Sequence, residues 1–452
     1  MTRFHRTKAV GGWLVLGALC LPGGWAQAQE EENEALIQMV VELVGDADRD
    51  MRALGLQQIR EEVPGEAATK RFAEMVPTLE PESRAALLEA LGDRGDPAAR
   101  PVVLDMLEAD AEPVRAAAIR ALGPLGTMDD VAVLMAKAAE GSDREKEAAR
   151  QALVRLRGDE VNETLVAAMS EAEPGAKVEL LGVLAARNAK KALPTVMQSV
   201  SDADPAVRLA ALDALRYLAD ESNTAGIVEL VQGAKDDAER RKAELALLMV
   251  CTRGGQSCAD AIIAGLDDAN VPARIALLHA LARTGAPKAM EAVVARLEDD
   301  DQAVRDEAVR MLSRWRDPAV KPHLLALAEQ SNRERHQVLA VRGLVRLARA
   351  HEEKPADLAG LSEAMGLAKR PDEKRRVLGA LADVASPEAL DLAADALGDR
   401  AVAAEACLAA VAIAEKMQGA NQDDVRAAMQ KVLRYATDGE VRARAEKLLA
   451  SS

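Results

Sequence analysis

The stretch that decides the fold is EPVRAAAIRALGPLG, Glu112 to Gly126. It opens on an acid, passes through Val-Arg, and sets small or apolar residues three, four, six and seven places after the Arg. The same order returns in DPAVRLAALDALRYLA (Asp204 to Ala219) and in DQAVRDEAVRMLSRW (Asp301 to Trp315). With that Arg as the anchor, the register recurs at Arg52, Arg84, Arg115, Lys146, Lys177, Arg208, Arg241, Arg274, Arg305, Gln337, Lys374, Ala404 and Arg442. Most intervals lie between 30 and 33 residues, and two lengthen to 37 and 38. A period of this size marks a repeat architecture.

Each unit reads as two helices. The anchored one, B, places apolar residues at +3, +4, +7 and +11 from the anchor, on one face at 3.6 residues per turn. Thirteen residues after several anchors stands a proline (Pro97, Pro287, Pro318, Pro387) followed by an apolar helical pattern. Proline suits the first helical turn, where its missing N–H loses no partner, so these prolines open the next helix, A. Neither helix buries its apolar face alone. The expectation is therefore an all-α chain, a right-handed α-solenoid of about thirteen two-helix repeats whose neighbours share one core.

The Asp/Glu-x-x-Val-Arg-x-x-Ala-x-x-Ala-Leu pattern resembles the short HEAT-like repeats of bacterial HEAT repeat proteins, the kind also found in phycobilin lyases. It covers essentially all of the chain after residue 28. The resemblance implies a helical solenoid and says little about activity, because such repeats serve scaffolds, adaptors and a few enzymes alike. Gln337 and Ala404 depart from it, standing where the pattern has Arg.

The first residues read as an address. Arg3, His5, Arg6 and Lys8 precede the apolar AVGGWLVLGALCL (Ala9 to Leu21), and small residues lead to Ala26-Gln27-Ala28. A basic start, a short apolar middle and an Ala-x-Ala end make a secretory signal peptide over residues 1–28, cut after Ala28. The middle is too short and glycine-rich to span a bilayer of about 30 Å. No later run reaches 18 apolar residues, so residues 29–452 are expected as one solenoid without a membrane span, in a periplasm or outside the cell.

Cleavage removes Arg3, Arg6 and Lys8 but no acid, taking the net charge from −16 to −19. That balance argues against nucleic acid or anionic membrane as partner. The mature chain keeps Trp315, Phe72, Tyr217 and Tyr435 as its aromatic rings. They are too few for carbohydrate platforms, aromatic cages or base-stacking surfaces.

The anchor arginines, with acids three to five residues before them, read as caps and inter-repeat bridges. The outer face of helix B is different. Positions +5, +9 and +12 lie opposite the apolar face and are expected on the concave surface of the solenoid. In the C-terminal half they carry Arg283, Arg310, Arg314, Arg342, Arg346 and Arg349, with His279 nearby. Residues 302–349 hold ten Lys/Arg against five Asp/Glu, just after the acidic Glu298, Asp299, Asp300 and Asp301. This basic stripe is the expected partner site, taking an acidic segment through guanidinium–carboxylate pairs.

Cys251 and Cys258 flank TRGGQS, a two-glycine turn able to bring both sulfurs together, and an exported compartment permits the Cys251–Cys258 disulfide. Cys407, at +3, reads as a small buried hydrophobe, and Trp315 as the filler of a joint between repeats. Neither a catalytic motif nor a metal-ligand spacing stands out, HEEKP (His351 to Pro355) lacking the second His of a zinc helix, and no cofactor is expected. The longer intervals place extra loops around residues 348–360 and 417–424. Together these features read as a non-enzymatic exported scaffold or adaptor. The alternatives are an enzyme or accessory domain similar to repeat-type lyases, and a structural envelope component.

Overall fold

A computed structural model describes residues 23–158, 160–349, 356–417 and 420–451. Most of the expected signal peptide (1–22), and parts of both extra loops (350–355, 418–419), lie outside the described residues. Gly23–Gly45 is a helix, so helical backbone runs through the expected cleavage point after Ala28. Among the described residues all regular elements are helices. None is long and apolar enough to cross a membrane.

The chain forms two compact units divided between Ser199 and Val200. In the N-terminal unit the B helices are Arg49–Glu61, Pro81–Arg94, Glu112–Leu125, Asp143–Arg155 and Pro174–Ala186. In the C-terminal unit they are Pro205–Leu218, Asp237–Gly254, Val271–Thr284, Gln302–Ser313, Glu334–Ala348, Pro371–Leu381, Ala403–Lys416 and Gly439–Ser451. Within each unit successive B helices pack side by side, and A helices such as Val131–Glu140 and Lys321–Gln330 lie against them. The A helices open where their prolines stand: Pro97 starts a 3-10 turn leading into Arg100–Asp105, and Pro287 and Pro387 start Pro287–Ala295 and Pro387–Asp395.

The apolar face closes the core of each unit. Leu87, Leu91, Ile119, Leu122, Leu153 and Leu181 are fully buried in the first; Leu215, Leu247, Leu277, Leu281, Leu312 and Leu378 are in the second. Each such side chain contributes about 2–3 kcal/mol of transfer free energy. Small residues let B helices approach closely. A Cβ on Gly92 would lie 2.9 Å from the Cα of Ala121 on the next B helix, closer than side chains tolerate.

The anchor register is visible as a hydrogen bond. In each repeat the N-cap carbonyl accepts from the anchor's N–H, as in Asp48 to Arg52, Ala111 to Arg115, Asp204 to Arg208 and Asn270 to Arg274. Two anchors move. In the seventh repeat the Asp236 carboxylate accepts from the N–H groups of Ala238 and Glu239 at 2.8 and 2.9 Å, and its carbonyl accepts from Arg240. The anchor is Arg240, not Arg241; two consecutive arginines had disguised the register. In the twelfth, the Val402 carbonyl accepts from Ala406 rather than Ala404. That helix opens without the acid-Val-Arg signature, so nothing in the sequence marked its start.

Candidate functional site

Two structural ladders consume many of the arginines. The first is the anchor itself. Arg208 donates to the carbonyls of Asp202 and Ala203 at 3.0 and 2.9 Å, where its own A helix hands over to B, and to Glu239 of the next repeat at 2.7 Å. Arg115 repeats this with Ala109, Asp110 and Glu145, and Arg274 with Leu266, Ala269 and Asp299. These are the caps and bridges expected from sequence.

The second ladder was not foreseen. An arginine at the end of one B helix reaches back to the last carbonyls of the preceding B helix, which have no intrahelical donor. Arg94 meets Ile59 at 3.0 Å and also Val63; Arg187 meets Leu153 and Leu156, both at 2.7 Å; Arg253 meets Arg216 and Ala219 at 2.9 and 2.7 Å. Arg346 belongs to this set. It donates to the carbonyls of Ser313 and Trp315 at 2.9 and 2.6 Å, and burial pulls its guanidinium below the ordinary value. Arg349 is paired with Asp383 at 3.2 Å. Both were expected in the partner stripe; Arg346 is engaged with backbone carbonyls and Arg349 in an exposed ion pair.

The remaining members converge. A pocket of about 840 Å³ opens over helices Asp237–Gly254, Val271–Thr284 and Gln302–Ser313, lined among others by Leu248, His279, Arg283, Glu307, Arg310 and Arg314. Arg316 and Trp315 complete its edge. Arg283, Arg314, Arg316 and Arg342 are exposed, and among the described residues none makes an ion pair, although Arg314 acts at longer range on Glu307. Arg342 sits one repeat further on, in helix Glu334–Ala348. Trp315 is buried, as expected of a joint between repeats.

His279 forms the floor. Its Nδ1 stands 2.6 Å from Glu244 Oε1 and its Nε2 3.1 Å from Glu307 Oε1. The carboxylates beside it, Glu244 first and Glu307 second, raise its pKa to about 9, so the ring is an imidazolium at neutral pH. Glu307 is only 4 % exposed. Burial pushes its carboxyl up, but His279, Arg310 and Arg314 together hold it below the usual range. Its Oε2 accepts from Arg310. Its Oε1 meets His279 off the hydrogen-bond direction and has no other partner. A histidine held as a cation between two carboxylates is a poor base, and both its ring nitrogens are taken. The outward positive charge of the pocket comes from Arg283, Arg314 and Arg316, with Asp317 among them, over a small apolar wall of Leu248 and Met311. Glu244 and Glu307 escaped sequence reading because they sit at other offsets from the anchor than the His279 and Arg310 they meet.

Elsewhere, Cys251 and Cys258 are both buried free thiols. Burial, then the neighbouring Cys258 sulfur, pushes the Cys251 thiol up. Gly255, at φ +56, makes the turn that brings them together. The bridge is not formed in this structure. Cys407 is buried. His336 is buried against Asp306 at 2.7 Å, and among the described residues no three His, Cys, Asp or Glu side chains stand together as metal ligands.

A family model of HEAT repeats matches residues 69–154, 162–248 and 259–344, more than half of the chain. No curated protein matches at a significant level. Among solved structures, Kap121p bound to Pho4p superimposes with a TM-score of 0.52 at 14% identity, covering 94% of this chain and 55% of that one. Kap121p bound to Ste12p gives 0.52 at 13%, with 94% and 54% covered, and the karyopherin Kap121p bound to the SUMO protease Ulp1p gives 0.52 at 13%, with 94% and 53%. The chain spans about half the length of these karyopherin chains, and the likeness is one of fold. With the period, the paired helices and the family match agreeing, the chain belongs to the HEAT-repeat family.

Proposed function

We propose that the protein is a non-enzymatic scaffold or adaptor, exported after cleavage behind Ala28, that holds an acidic segment of a partner protein on the exposed B-helix face of its C-terminal unit. The observation that carries this is a set of arginines without an ion pair, Arg283, Arg314 and Arg316 at the pocket over His279 and Arg342 one repeat further on, in a chain of net charge −16. Elsewhere on the chain arginines commonly meet an acid or a carbonyl, so unmet ones on a single face are available for carboxylates from outside. The solved neighbours are complexes of a karyopherin with protein partners, which supports a partner-holding use of this architecture.

The test is a crosslinking pull-down from the envelope fraction. It uses the tagged protein beside an Arg283→Glu/Arg314→Glu variant and an Arg144→Glu/Arg155→Glu control in the N-terminal unit. A discrete partner lost in the first variant and kept in the control supports the site. Equal retention in all three removes it, and recovery of the protein alone favours a structural envelope role. Intact and non-reducing mass measurement of the recovered chain reads the start of the mature protein and whether Cys251 and Cys258 have been oxidised to a disulfide.

A further inference from the structure

The stripe has an apolar half. Counting from the N-caps Asp204, Asp236, Asn270, Asp301 and Arg333, the residues nine places on are Asp213, Leu245, His279, Arg310 and Arg342. Thirteen places on they are Tyr217, Met249, Arg283, Arg314 and Arg346. These two positions are one helical turn apart, on the same face of each B helix. Along five consecutive B helices, a single line of side chains thus changes from aromatic and aliphatic to cationic.

The apolar members are uncovered. Tyr217 is 56 % exposed, Leu245 43 % and Met249 38 %. In the N-terminal unit the equivalent positions carry Gln57, Glu61, Glu89, Asp93, Arg120, Pro124, Gln151, Arg155, Gly182 and Ala186, with no large aliphatic or aromatic side chain. Single exposed apolar residues are ordinary; three on adjoining helices beside a cationic pocket are a patch. The helices adjoin in fact: Lys242 pairs with Asp213 across the first junction, and Glu244 with His279 across the second. Leu248, between Leu245 and Met249 in sequence, is already a wall of the pocket.

We propose that the segment held by this face is bipartite, with an apolar block seated on Tyr217, Leu245 and Met249 and a run of carboxylates seated on Arg283 and Arg314. This rests on the adaptor reading and specifies its partner. Charge complementarity selects carboxylates for the arginine half, and the uncovered apolar side chains select a hydrophobic anchor for the other. Packed helices lie about 8–10 Å apart. The two halves are therefore separated by one or two helix spacings, which an extended chain crosses in roughly three to six residues.

Fluorescence anisotropy with defined peptides tests this on the purified protein. The probe carries a Leu-Trp-Leu block, a Gly-Ser spacer and a Glu-Asp-Glu-Glu block. One control has the same composition with acids and apolar residues interleaved, and another keeps only the acidic block. The block peptide is expected to bind at least about tenfold more tightly than either control, the contribution of one or two apolar anchors. Leu245→Ser/Met249→Ser should erase that advantage while leaving binding of the acidic block unchanged. Arg283→Glu/Arg314→Glu should weaken both. Equal binding of block and interleaved peptides, or an advantage that survives the serine variant, overturns the bipartite inference alone. Failure of the acidic block to bind the wild-type protein, or indifference of all peptides to the arginine reversal, overturns the adaptor reading beneath it.

Discussion

The B-helix faces of the two units use the same register differently. In the N-terminal unit, Arg60 pairs with Asp93 at 3.0 Å, Arg120 with Glu89, and Arg150 with both Glu147 and Glu179 at 2.8 and 3.1 Å. Arg144 and Arg155, exposed beside Arg120, make no ion pair among the described residues, and the groove lined by Arg150, Val154, Gly182, Val183 and Ala186 is shallow and largely apolar. In the C-terminal unit Lys242 has Asp213 and His279 has two glutamates, while Arg283, Arg314 and Arg342 make no ion pair among the described residues, the Glu307 near Arg314 being one that Arg310 and His279 already meet. An arginine at a given repeat position is thus structural or available according to what stands beside it.

What the units share should be what stability depends on most. Arg208 and Glu239 have side chains only 8 % exposed each, and Glu145 is as deeply placed beside Arg115. Removing one partner of a buried pair strands the other charge. Glu239→Ala is expected to destabilise the C-terminal unit by about 3 kcal/mol, and Glu145→Ala to cost the N-terminal unit somewhat less because Arg115 is partly in water. Urea unfolding read by circular dichroism measures both. A cost under about 1 kcal/mol for Glu239→Ala would mean that the ladder is ornamental and that apolar packing alone sets the repeat stack.

The difference between the faces can be reversed. In an Arg283→Glu/Arg314→Glu background, Glu89→Gln, Glu147→Gln and Glu179→Gln would free Arg120 and Arg150 in the N-terminal unit. Exposed ion pairs contribute roughly 0–1 kcal/mol each, so the fold should tolerate the change. Binding of an acidic peptide, lost with the first two substitutions, is expected to recover by about tenfold, or about 1.4 kcal/mol. No recovery would show that unpaired guanidinium groups are insufficient and that the pocket over His279 supplies something the N-terminal face lacks.

Sequence reading went far with the fold because the repeat restates itself. Any one unit is ambiguous, yet Val-Arg followed by Ala and Leu at fixed steps leaves one periodicity standing, and two anchors slipped only where that signature was doubled (Arg240-Arg241) or missing (Ala403–Lys416). The site was half legible. Arg283, Arg310 and Arg314 could be placed on one face by angle alone. Arg346 sits in the same register, yet its side chain turns back to Ser313 and Trp315, because the end of a helix offers unmet carbonyls that a mid-helix position does not. Angle gives direction; it does not show which acceptors lie within reach. The apolar half escaped for another reason: with the seventh anchor set at Arg241, Leu245 and Met249 fell one step off the exposed line.

His279 gives the comparison its pH dependence, since the pairs of the N-terminal face named above are made by arginine. Facing the ring are Glu244 on the preceding B helix and Glu307 on the following one, with Arg310 and Arg314 beyond Glu307 and Arg283 on its own helix. Its pKa of about 9 in the folded chain lies above the 6.5 of a free histidine. Below pH 6.5 both states hold the proton, and the imidazolium–carboxylate contacts stabilise the fold in full. As pH rises the unfolded chain releases its proton first, so the contribution declines and is gone once pH passes about 9. At the acid end Glu307, held below its ordinary value, keeps its share until pH falls through that lowered pKa. With 31 % of the imidazole side chain in water, screening leaves about 1 kcal/mol at the optimum. Relative to wild type, His279→Gln should therefore be least stable near pH 6 and should converge with it above about pH 9.5. A gap that stays constant across that range would place the loss in packing, and the locked cation beneath the arginines would have to be abandoned.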